Sequence, residues 1–183
     1  VKKIVYTSVQ GADTDTDFSP IIQSNRQTEK DIQESGMQWV IGRNGIYIEP
    51  DVLHIDKYRE AGQIANSAGD GKCGYITRPE LACAYAQLLT DDRHNGHIYN
   101  LHGEAITQQQ LADYLNRAFG TDLIYRDMSV EEYRNDRVSV YGDFFGRIIA
   151  GIYQGIRSGH ADNPGDFKTV TGRSHQSWND YFD

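Results

Sequence analysis

Two groups of hydrogen-bonding residues follow β-rich runs in the first quarter of the chain. Thr7 and Ser8 end one run, and Arg43, Asn44 and Gly45 follow the next. Ligands of open α/β sheets bind outside the carboxyl ends of strands, and glycine allows a close backbone approach there. We therefore expect the five residues to meet at one rim of a sheet and to suit a planar ligand. The alternative is a polar surface turn whose hydroxyls satisfy only local backbone groups.

Motifs for other chemistries are not found. The single GxGxxG match, Gly69–Gly74, leads into the strand expected at Lys72–Ile76 and does not open a helix, so it is not the turn that cradles nucleotide phosphates. GxxxxGK[ST] is absent, and no serine lies in a GxSxG elbow. His94 and His97 are three residues apart, but no further ligands recur at a fixed spacing, so no metal site is expected. Cys73 and Cys83 form no CxxC motif and indicate a reduced pair. Three isolated histidines are predicted to lie at the surface: His102, His160 and His175.

Charge and hydropathy restrict the classes of partner. The 183 residues carry a net charge of −8, with a pI near 5.2. Nucleic acids and anionic membranes select basic surfaces, so neither is expected as a partner. No apolar run approaches the roughly 18 residues that span a bilayer, and no signal peptide is visible. We expect a cytoplasmic protein of one domain, or of one domain with a small appendage.

The elements that must position the candidate site form a strand–helix–strand unit. Ile4–Ser8 is typical of a central parallel strand. Ser19 and Pro20 begin a helix, Gly36 ends it, and a second strand is expected at Met37–Ile41. This spacing predicts a βαβ unit with a right-handed crossover.

The remainder of the chain alternates strands and helices before a mostly helical tail. Strands are expected at Lys72–Ile76, His97–Leu101 and Leu123–Arg126. Capping boxes predict helices after Thr77 with Glu80, Thr107 with Gln110, and Ser129 with Glu132. Further helices are expected at Ile55–Ala61, along the stripe Phe145–Ile156, and after Ser174. The order indicates an α/β fold: the second half of a doubly wound sheet with a small, mostly helical subdomain.

Several segments occur in an order that points to a family. They are Val1–Ser8, Thr28-Glu29-Lys30 through Ser35-Gly36, Arg43-Asn44-Gly45-x-Tyr47, Ala68–Lys72 followed by Thr77-Arg78, Tyr99–Gly103, and Val170–Arg173. With them the whole chain resembles the C-terminal two thirds of NmrA-like atypical short-chain dehydrogenases. The branch most similar is that of the NAD(P)H:quinone oxidoreductases and triphenylmethane reductases.

The resemblance implies the C-terminal part of a Rossmann-like NAD(P)-binding domain at 1–49 and 78–101, and a smaller substrate-binding subdomain at 50–77 and 102–183. It also implies NADP(H) or NAD(H) as cofactor and a quinone-like small molecule as hydride acceptor. Tyr47 and Asn44 would be the catalytic residues, with Tyr47 stacking on the acceptor or gating it. The implied cofactor-binding positions are Thr7, Ser8, Arg43, Asn44, Gly45, Ile46, Tyr47, Ile48, Glu49 and Arg78.

The chain departs from the family pattern in three ways. Ile21 and Asn25 stand where ordinary short-chain dehydrogenases carry the Tyr-x-x-x-Lys pair, and Pro50 stands where relatives have asparagine. The first strand and its glycine-rich turn are missing, so we expect a longer protein of which this is the C-terminal part. For the isolated chain we expect weak or no cofactor binding. We also expect association, as a homodimer or otherwise, through the free edge of the first strand.

Two functions remain open at this point. One is an enzyme that reduces a quinone-like acceptor with NAD(P)H. The other is a non-catalytic protein that senses NAD(P) and acts through partners. Turnover of NADPH with a quinone distinguishes the two.

Overall fold

Two parallel strands joined by a helix form the unit that carries the candidate site. The computed structural model describes residues 1–183. Strand β1 (Lys3–Val9) pairs in parallel with strand β2 (Gln38–Asn44), and helix α1 (Pro20–Glu34) connects them. Strand β6 (His97–Leu101) adds to the other side of β2, which gives the order β1-β2-β6. The predicted βαβ unit is therefore confirmed.

Strand β2 continues three residues beyond the predicted end at Ile41. The strand passes through Gly42, where a Cβ atom would lie 2.4 Å from the hydroxyl oxygen of Tyr85. That hydroxyl donates a hydrogen bond to the carbonyl of Gly42 at 3.0 Å. Glycine thus marks a close packing contact inside the strand, and not its end.

Helix α1 begins and ends near the predicted residues. Pro20 occupies the first turn, where its missing N–H is not needed. The hydroxyl of Ser19 does not cap the helix but donates to the carbonyl of Ile148 at 3.1 Å. Gly36, with φ of 74°, follows the last residues of the helix. The hydrogen bond from Ser19 to Ile148 joins the start of α1 to a distant helix and helps to fix that end of the strand–helix–strand unit.

The other elements complete an α/β fold, as predicted. Two small sheets are formed by β3 (Ile46–Tyr47), β5 (Cys73–Ile76) and β7 (Ala105–Ile106), and by β4 (Gln63–Asn66) and β8 (Ile124–Asp127). The helices are α2 (Glu49–Leu53), α3 (Ile55–Ala61), α4 (Arg78–Thr90), α5 (Gln108–Phe119), α6 (Val130–Arg157), α7 (Phe167–Thr171) and α8 (Trp178–Phe182), with a 3₁₀ turn at Asp92–His94. None of the helices combines the length and hydrophobicity that a bilayer crossing requires.

The predicted capping boxes have different outcomes. Thr107 and Gln110 form a complete box at the start of α5. At α4 the Thr77 hydroxyl accepts from the Glu80 amide, but the Glu80 carboxylate does not return the bond, because it accepts from Arg173 at 3.0 Å. The third box is likewise incomplete, since the Glu132 carboxylate pairs with an arginine of β8.

The cap predicted for the last helix is wrong. Ser177, and not Ser174, precedes α8, and its hydroxyl accepts from the Asp180 amide at 3.1 Å. The segment before it is held elsewhere, because the Gln176 amide donates to Glu80 at 3.1 Å. A tertiary bond therefore shifts the start of the helix by three residues.

Helix α6 is a hairpin of two arms. Its backbone leaves helical geometry at Gly142, where φ is 78° and ψ is 167°. A Cβ atom on Gly146 would lie 2.5 Å from the Cα of Val138, so the two arms pack almost backbone to backbone. The second arm carries the predicted stripe and passes beside α1 and the ends of β1 and β2.

A buried carboxylate in α2 provides a pH test of the fold. Asp51 is 7% exposed and accepts a hydrogen bond from the Tyr58 hydroxyl at 2.6 Å. Burial raises the pKa of Asp51, because the charged form loses its hydration. Protonated Asp51 therefore stabilises the folded protein. This stabilisation is complete below the pKa of Asp51 in the unfolded chain, about 3.9, and is lost as the pH rises through its pKa in the folded protein.

We expect Asp51→Asn to change the pH dependence of stability. The free energy of unfolding of the wild type, minus that of the variant, should fall with rising pH, at no more than about 1.4 kcal/mol per pH unit. Urea unfolding from pH 4.5 to 8 measures this difference. Asp56→Asn, at an exposed side chain, is the matched control for the loss of a carboxyl group. A pH-independent difference for Asp51→Asn would show that the carboxyl is charged throughout.

Candidate functional site

A cavity of about 290 Å³ lies at the carboxyl ends of β1 and β2. The strand ends and the start of α1 form one side, and the second arm of α6 forms the other. Five isoleucines give it a largely apolar wall: Ile21, Ile22, Ile46, Ile152 and Ile156. Its size is near the lower end of the range for small-molecule sites, about 300–1,000 Å³. A mainly apolar cavity with a few polar groups suits a compact organic ligand.

The parallel register brings the predicted rim together. Ser8 lies opposite Arg43, and Val9 lies opposite Asn44. The Gln10 amide then donates to the Asn44 carbonyl at 2.9 Å, which ties the two strand ends to each other. Six of the ten predicted positions line the cavity: Thr7, Ser8, Asn44, Gly45, Ile46 and Tyr47.

The side chain of Arg43 turns away from the cavity and towards α1. Its Nε and Nη2 atoms donate to the two carboxylate oxygens of Glu29, at 3.0 and 2.7 Å. Asp13 adds an ion pair at 3.2 Å. The Ser8 hydroxyl donates to the same Glu29 carboxylate at 2.5 Å. This group joins both strand ends to α1, so the side chains of Ser8 and Arg43 hold the rim in place.

Asn44 and Tyr47 form the polar end of the cavity. The side-chain oxygen of Asn44, Oδ1, accepts from the Tyr85 hydroxyl at 2.7 Å, and its side-chain nitrogen, Nδ2, donates to the Tyr47 hydroxyl at 3.4 Å. Burial raises the pKa of Tyr85, so its hydroxyl stays protonated and remains a donor. The guanidinium of Arg78 lies over the Tyr47 ring, 5.4 Å from its centroid. The ring is thus held from outside the cavity by a cation–π contact.

The remaining predicted positions do not line the cavity. Ile48 is fully buried in the core. Glu49 accepts from the backbone amide of Arg78 at 2.7 Å, at the start of α4. It faces a separate shallow depression that Thr77 and Arg173 also line. These residues support the segment behind Tyr47.

Gly45 permits a close approach at the centre of the site. A Cβ atom there would lie 2.1 Å from the carbonyl oxygen of Gly74 and 2.7 Å from the side chain of His102. The amide of Gly45 donates to the carbonyl of Leu101 at 2.9 Å. Contact between backbones therefore requires glycine at this position, whereas the expected contact of Gly45 with a ligand stays a prediction.

Sequence patterns missed twelve cavity residues, some directly after Ser8 and others from distant parts of the chain. They are Val9, Gln10, Gly11, Thr14, Thr16, the four isoleucines other than Ile46, Gly155, His160 and Ala161. His160 was expected at the surface, but it forms part of the wall, and its ring stacks on Phe18 with centroids 5.8 Å apart. Its Nδ1 atom is buried and has no hydrogen-bond partner. Gly159, with φ of 80°, ends the long helix α6 and makes the turn that brings His160 into the cavity wall. A glycine after a long apolar helix is the sequence signal that could have indicated this turn.

The surface prediction is also wrong for His102 and inaccurate for His175. His102 is 4% exposed and packs against Gly74 and Gly165, where added Cβ atoms would lie 2.6 and 3.1 Å from its ring. Burial lowers the pKa of His175, because the charged form is poorly solvated among Phe167 and Trp178. Both rings fill space next to glycines, so they serve packing.

No group of three or more His, Cys, Asp or Glu side chains is arranged to hold a metal ion. The polar groups of the cavity are instead amide, hydroxyl and imidazole groups. Such groups orient a ligand by hydrogen bonds within an apolar enclosure. The arrangement suits a flat molecule with one or two polar atoms.

Comparison with known proteins relates the chain to a group of oxidoreductases. No family model matches the chain. Quinone oxidoreductase 2 of Escherichia coli (strain K12) is 35% identical over 136 residues, which are 73% of this chain and 46% of that protein. The NmrA-like family domain-containing oxidoreductase flvB of Aspergillus flavus is 30% identical over 167 residues, 87% of this chain and 53% of the relative. The chain thus spans about half the length of these curated relatives.

The solved structures agree. The crystal structure of the NADPH-dependent quinone oxidoreductase QOR2 of Escherichia coli, complexed with NADPH, matches 100% of this chain and 65% of its own, with a TM-score of 0.88 and 28% identity. Its match extends over every element described above. Sequence similarity over most of the chain and this agreement in fold relate the chain to NmrA-like and NADPH-dependent quinone oxidoreductases.

Proposed function

We propose that this chain is the nicotinamide-side and acceptor-binding part of an NAD(P)H-dependent oxidoreductase that reduces a quinone-like molecule. The observation that carries the proposal is the apolar cavity at the carboxyl ends of two parallel strands. The curated relatives include a quinone oxidoreductase, and the solved relative is complexed with NADPH.

The cavity fits the nicotinamide end of the cofactor better than the rest of it. Thr7, Asn44 and Tyr47 offer polar groups at the rim, and Gly45 lies between the latter two in the cavity wall. The one GxGxxG pattern among the 183 residues, Gly69–Gly74, leads into β5 and not into a helix, so it does not supply a helix N-terminus for the pyrophosphate. When bound, the reduced nicotinamide supplies a hydride. We infer that the chain holds this end and that affinity for the whole cofactor is weak in the isolated chain.

The acceptor would lie against the isoleucines and the Tyr47 ring. Because Asn44 donates to the Tyr47 hydroxyl and Arg78 lies over the ring, the ring has a fixed orientation. A fixed aromatic surface favours a flat conjugated molecule over a branched aliphatic one. We assign to Tyr47 contact with the acceptor and to Asn44 the orientation of Tyr47.

The free edge of the main sheet supports association between chains. Strand β1 is the last strand of the order β1-β2-β6, so one of its edges has no partner strand. Unpaired edges readily accept another strand. We propose that the 183-residue chain on its own associates through β1, as a homodimer or otherwise.

Gly155 offers a direct test of the cavity. It lies in the second arm of α6, and no atom lies within 4 Å of a Cβ atom built there. We expect Gly155→Leu to fill part of the cavity and to weaken quinone use by at least about tenfold in kcat/KM. The loss of NADPH absorbance in the presence of menadione measures this. Arg147→Leu, at a side chain that is 61% exposed on the same arm, is the matched control.

The same assay decides between the two functions left open by the sequence. Turnover that is lost in Gly155→Leu and retained in Arg147→Leu supports the reductase. Measurable NADPH affinity by calorimetry without any turnover would instead support the sensing function. Turnover that is unaffected by Gly155→Leu would place the acceptor outside this cavity.

A further inference from the structure

We propose that the acceptor carries an apolar chain and that this chain lies along the second arm of α6, an inference that rests on the proposed reductase function. Four apolar side chains at the turn of the α6 hairpin are between 46% and 63% exposed: Val140, Tyr141, Phe144 and Phe145. The rings of Phe144 and Phe145 pack on each other with centroids 5.3 Å apart. Contiguous exposed apolar surface marks interaction sites and ligand-binding grooves.

Phe145 faces the same side of the arm as the residues that line the cavity. Residues seven apart on a helix lie almost directly above one another, two turns and about 10 Å along the axis. Phe145 and Ile152 are related in this way, with Ile148 between them, and the break in helical geometry at Gly142 comes before this stretch. Ile152 lines the cavity. Phe145, Ile148 and Ile152 therefore form one apolar row, the cavity-side row, which ends in the cavity wall.

The start of α1 forms the other side of the path from this row to the cavity. Ile21 lines the cavity and is also 37% exposed, so it lies at the cavity mouth. The Ser19 hydroxyl donates to the carbonyl of Ile148 at 3.1 Å, which places the row beside the start of α1. A chain that leaves the cavity past Ile21 would meet Ile148 first and Phe145 next.

The charged side chains of this arm lie on another face. Two residues along a helix correspond to a rotation of about 200°, so Arg147 projects away from Phe145. Arg147 pairs instead with Asp143 at 2.8 Å, and both side chains are largely exposed. The side chains of the cavity-side row offer only carbon atoms. They favour methylene groups, which leave water at a gain in free energy, over polar substituents, which lose hydrogen bonds.

The size of the cavity supports the same class of acceptor. Its volume of about 290 Å³ is near the lower end of the range for small-molecule sites. A cavity of that size accommodates a conjugated ring, whereas a long substituent on the ring must extend beyond the mouth. Quinones with an isoprenoid or alkyl chain have this shape. We assign the ring to the cavity and the chain to Ile21, Ile148 and Phe145.

Two quinones with the same ring test this assignment: decylubiquinone and the analogue that lacks the decyl chain. We expect the wild-type chain to bind decylubiquinone at least about tenfold more tightly, since each buried methylene group adds affinity. Phe145→Ser should lower the ratio of the two dissociation constants by at least about threefold, and Phe145→Leu, which keeps an apolar side chain, should retain it. Leu89→Ser, at a side chain that is 61% exposed on α4, is the matched control. Equilibrium dialysis measures each constant without turnover.

Three results would overturn the assignment of the chain. One is equal affinity of the wild type for the two quinones. Another is a ratio that Phe145→Ser leaves unchanged, or that Leu89→Ser lowers by the same factor. The third is a loss in Phe145→Ser of binding to phosphatidylcholine vesicles, or of self-association in sedimentation, while the ratio stays as in the wild type. The exposed rings would then contact a membrane or a second copy of the chain.

NADPH oxidation with the same two quinones separates this inference from the proposed function. Turnover of both quinones with equal KM would leave the reductase function standing and would overturn the chain-binding role of the cavity-side row. Chain-dependent binding without any NADPH oxidation would overturn the reductase function and retain the row as a binding surface. A lower KM for decylubiquinone in the wild type, lost in Phe145→Ser, would support both.

Discussion

Gly151→Ala should destabilise the protein by about 3 kcal/mol, near the upper end of what overpacking normally costs. A Cβ atom on Gly151 would lie 1.9 Å from the carbonyl oxygen of Phe18 and 2.8 Å from the Cα of Ser19. Both contacts are with backbone, so no side chain can rotate to make room. The clash is removed only if α6 moves away from the segment before α1. That segment is also part of the cavity wall.

The matched control lies four residues further along the same arm. Gly155 has open space where its Cβ atom would be, so Gly155→Ala should be neutral or should stabilise by up to about 1 kcal/mol through helix propensity. Urea unfolding at one pH measures both variants. If Gly151→Ala were as stable as the wild type, α6 and the Phe18 segment would not be in backbone contact.

Glu29→Ala is the second change for which we expect a large effect, about 3–5 kcal/mol of lost stability. The Glu29 side chain is 4% exposed and that of Arg43 is 13% exposed. Removal of the carboxylate leaves the Arg43 guanidinium largely buried, with only Asp13, at 3.2 Å, as an anionic partner. The Ser8 hydroxyl also loses its acceptor. We expect the strand ends, and with them the cavity rim, to loosen.

Two comparisons separate lost pairing from lost packing. Asp56→Ala removes an exposed ion pair with Arg59 and should cost less than about 1 kcal/mol. The double change Glu29→Met with Arg43→Met removes both charges at once, and it should be more stable than Glu29→Ala. Urea unfolding measures all three variants. If Glu29→Ala cost no more than Asp56→Ala, the buried pair would contribute little to the fold.

The sequence predicted well those features that depend on neighbouring residues. The βαβ unit follows from one helix start, one helix stop and two β-rich runs, all within residues 4–44. Its parallel register then brings Ser8 beside Arg43 without any knowledge of the rest of the chain. The strand His97–Leu101 and the helix Ile55–Ala61 have the predicted bounds for the same reason.

Features that depend on distant contacts were not predictable in this way. The Glu80 carboxylate fits a capping box by spacing, yet it pairs with Arg173, 93 residues later. The surface prediction for His160 failed because only the folded α6 brings it to the ends of the strands. The division into a cofactor-binding domain and a substrate-binding subdomain stays a prediction.

The wall of the cavity also has a consequence for folding kinetics. The Gln10 side chain donates to the carbonyl of Ala161, a contact that spans 151 residues of sequence. A contact of such separation requires closure of almost the whole chain, and its entropic cost rises with the logarithm of loop length. The βαβ unit can form from local contacts, whereas the cavity exists only after the two ends of the chain have docked. Folding intermediates that contain the main sheet would therefore lack a ligand site, and a ligand would stabilise only the fully docked state.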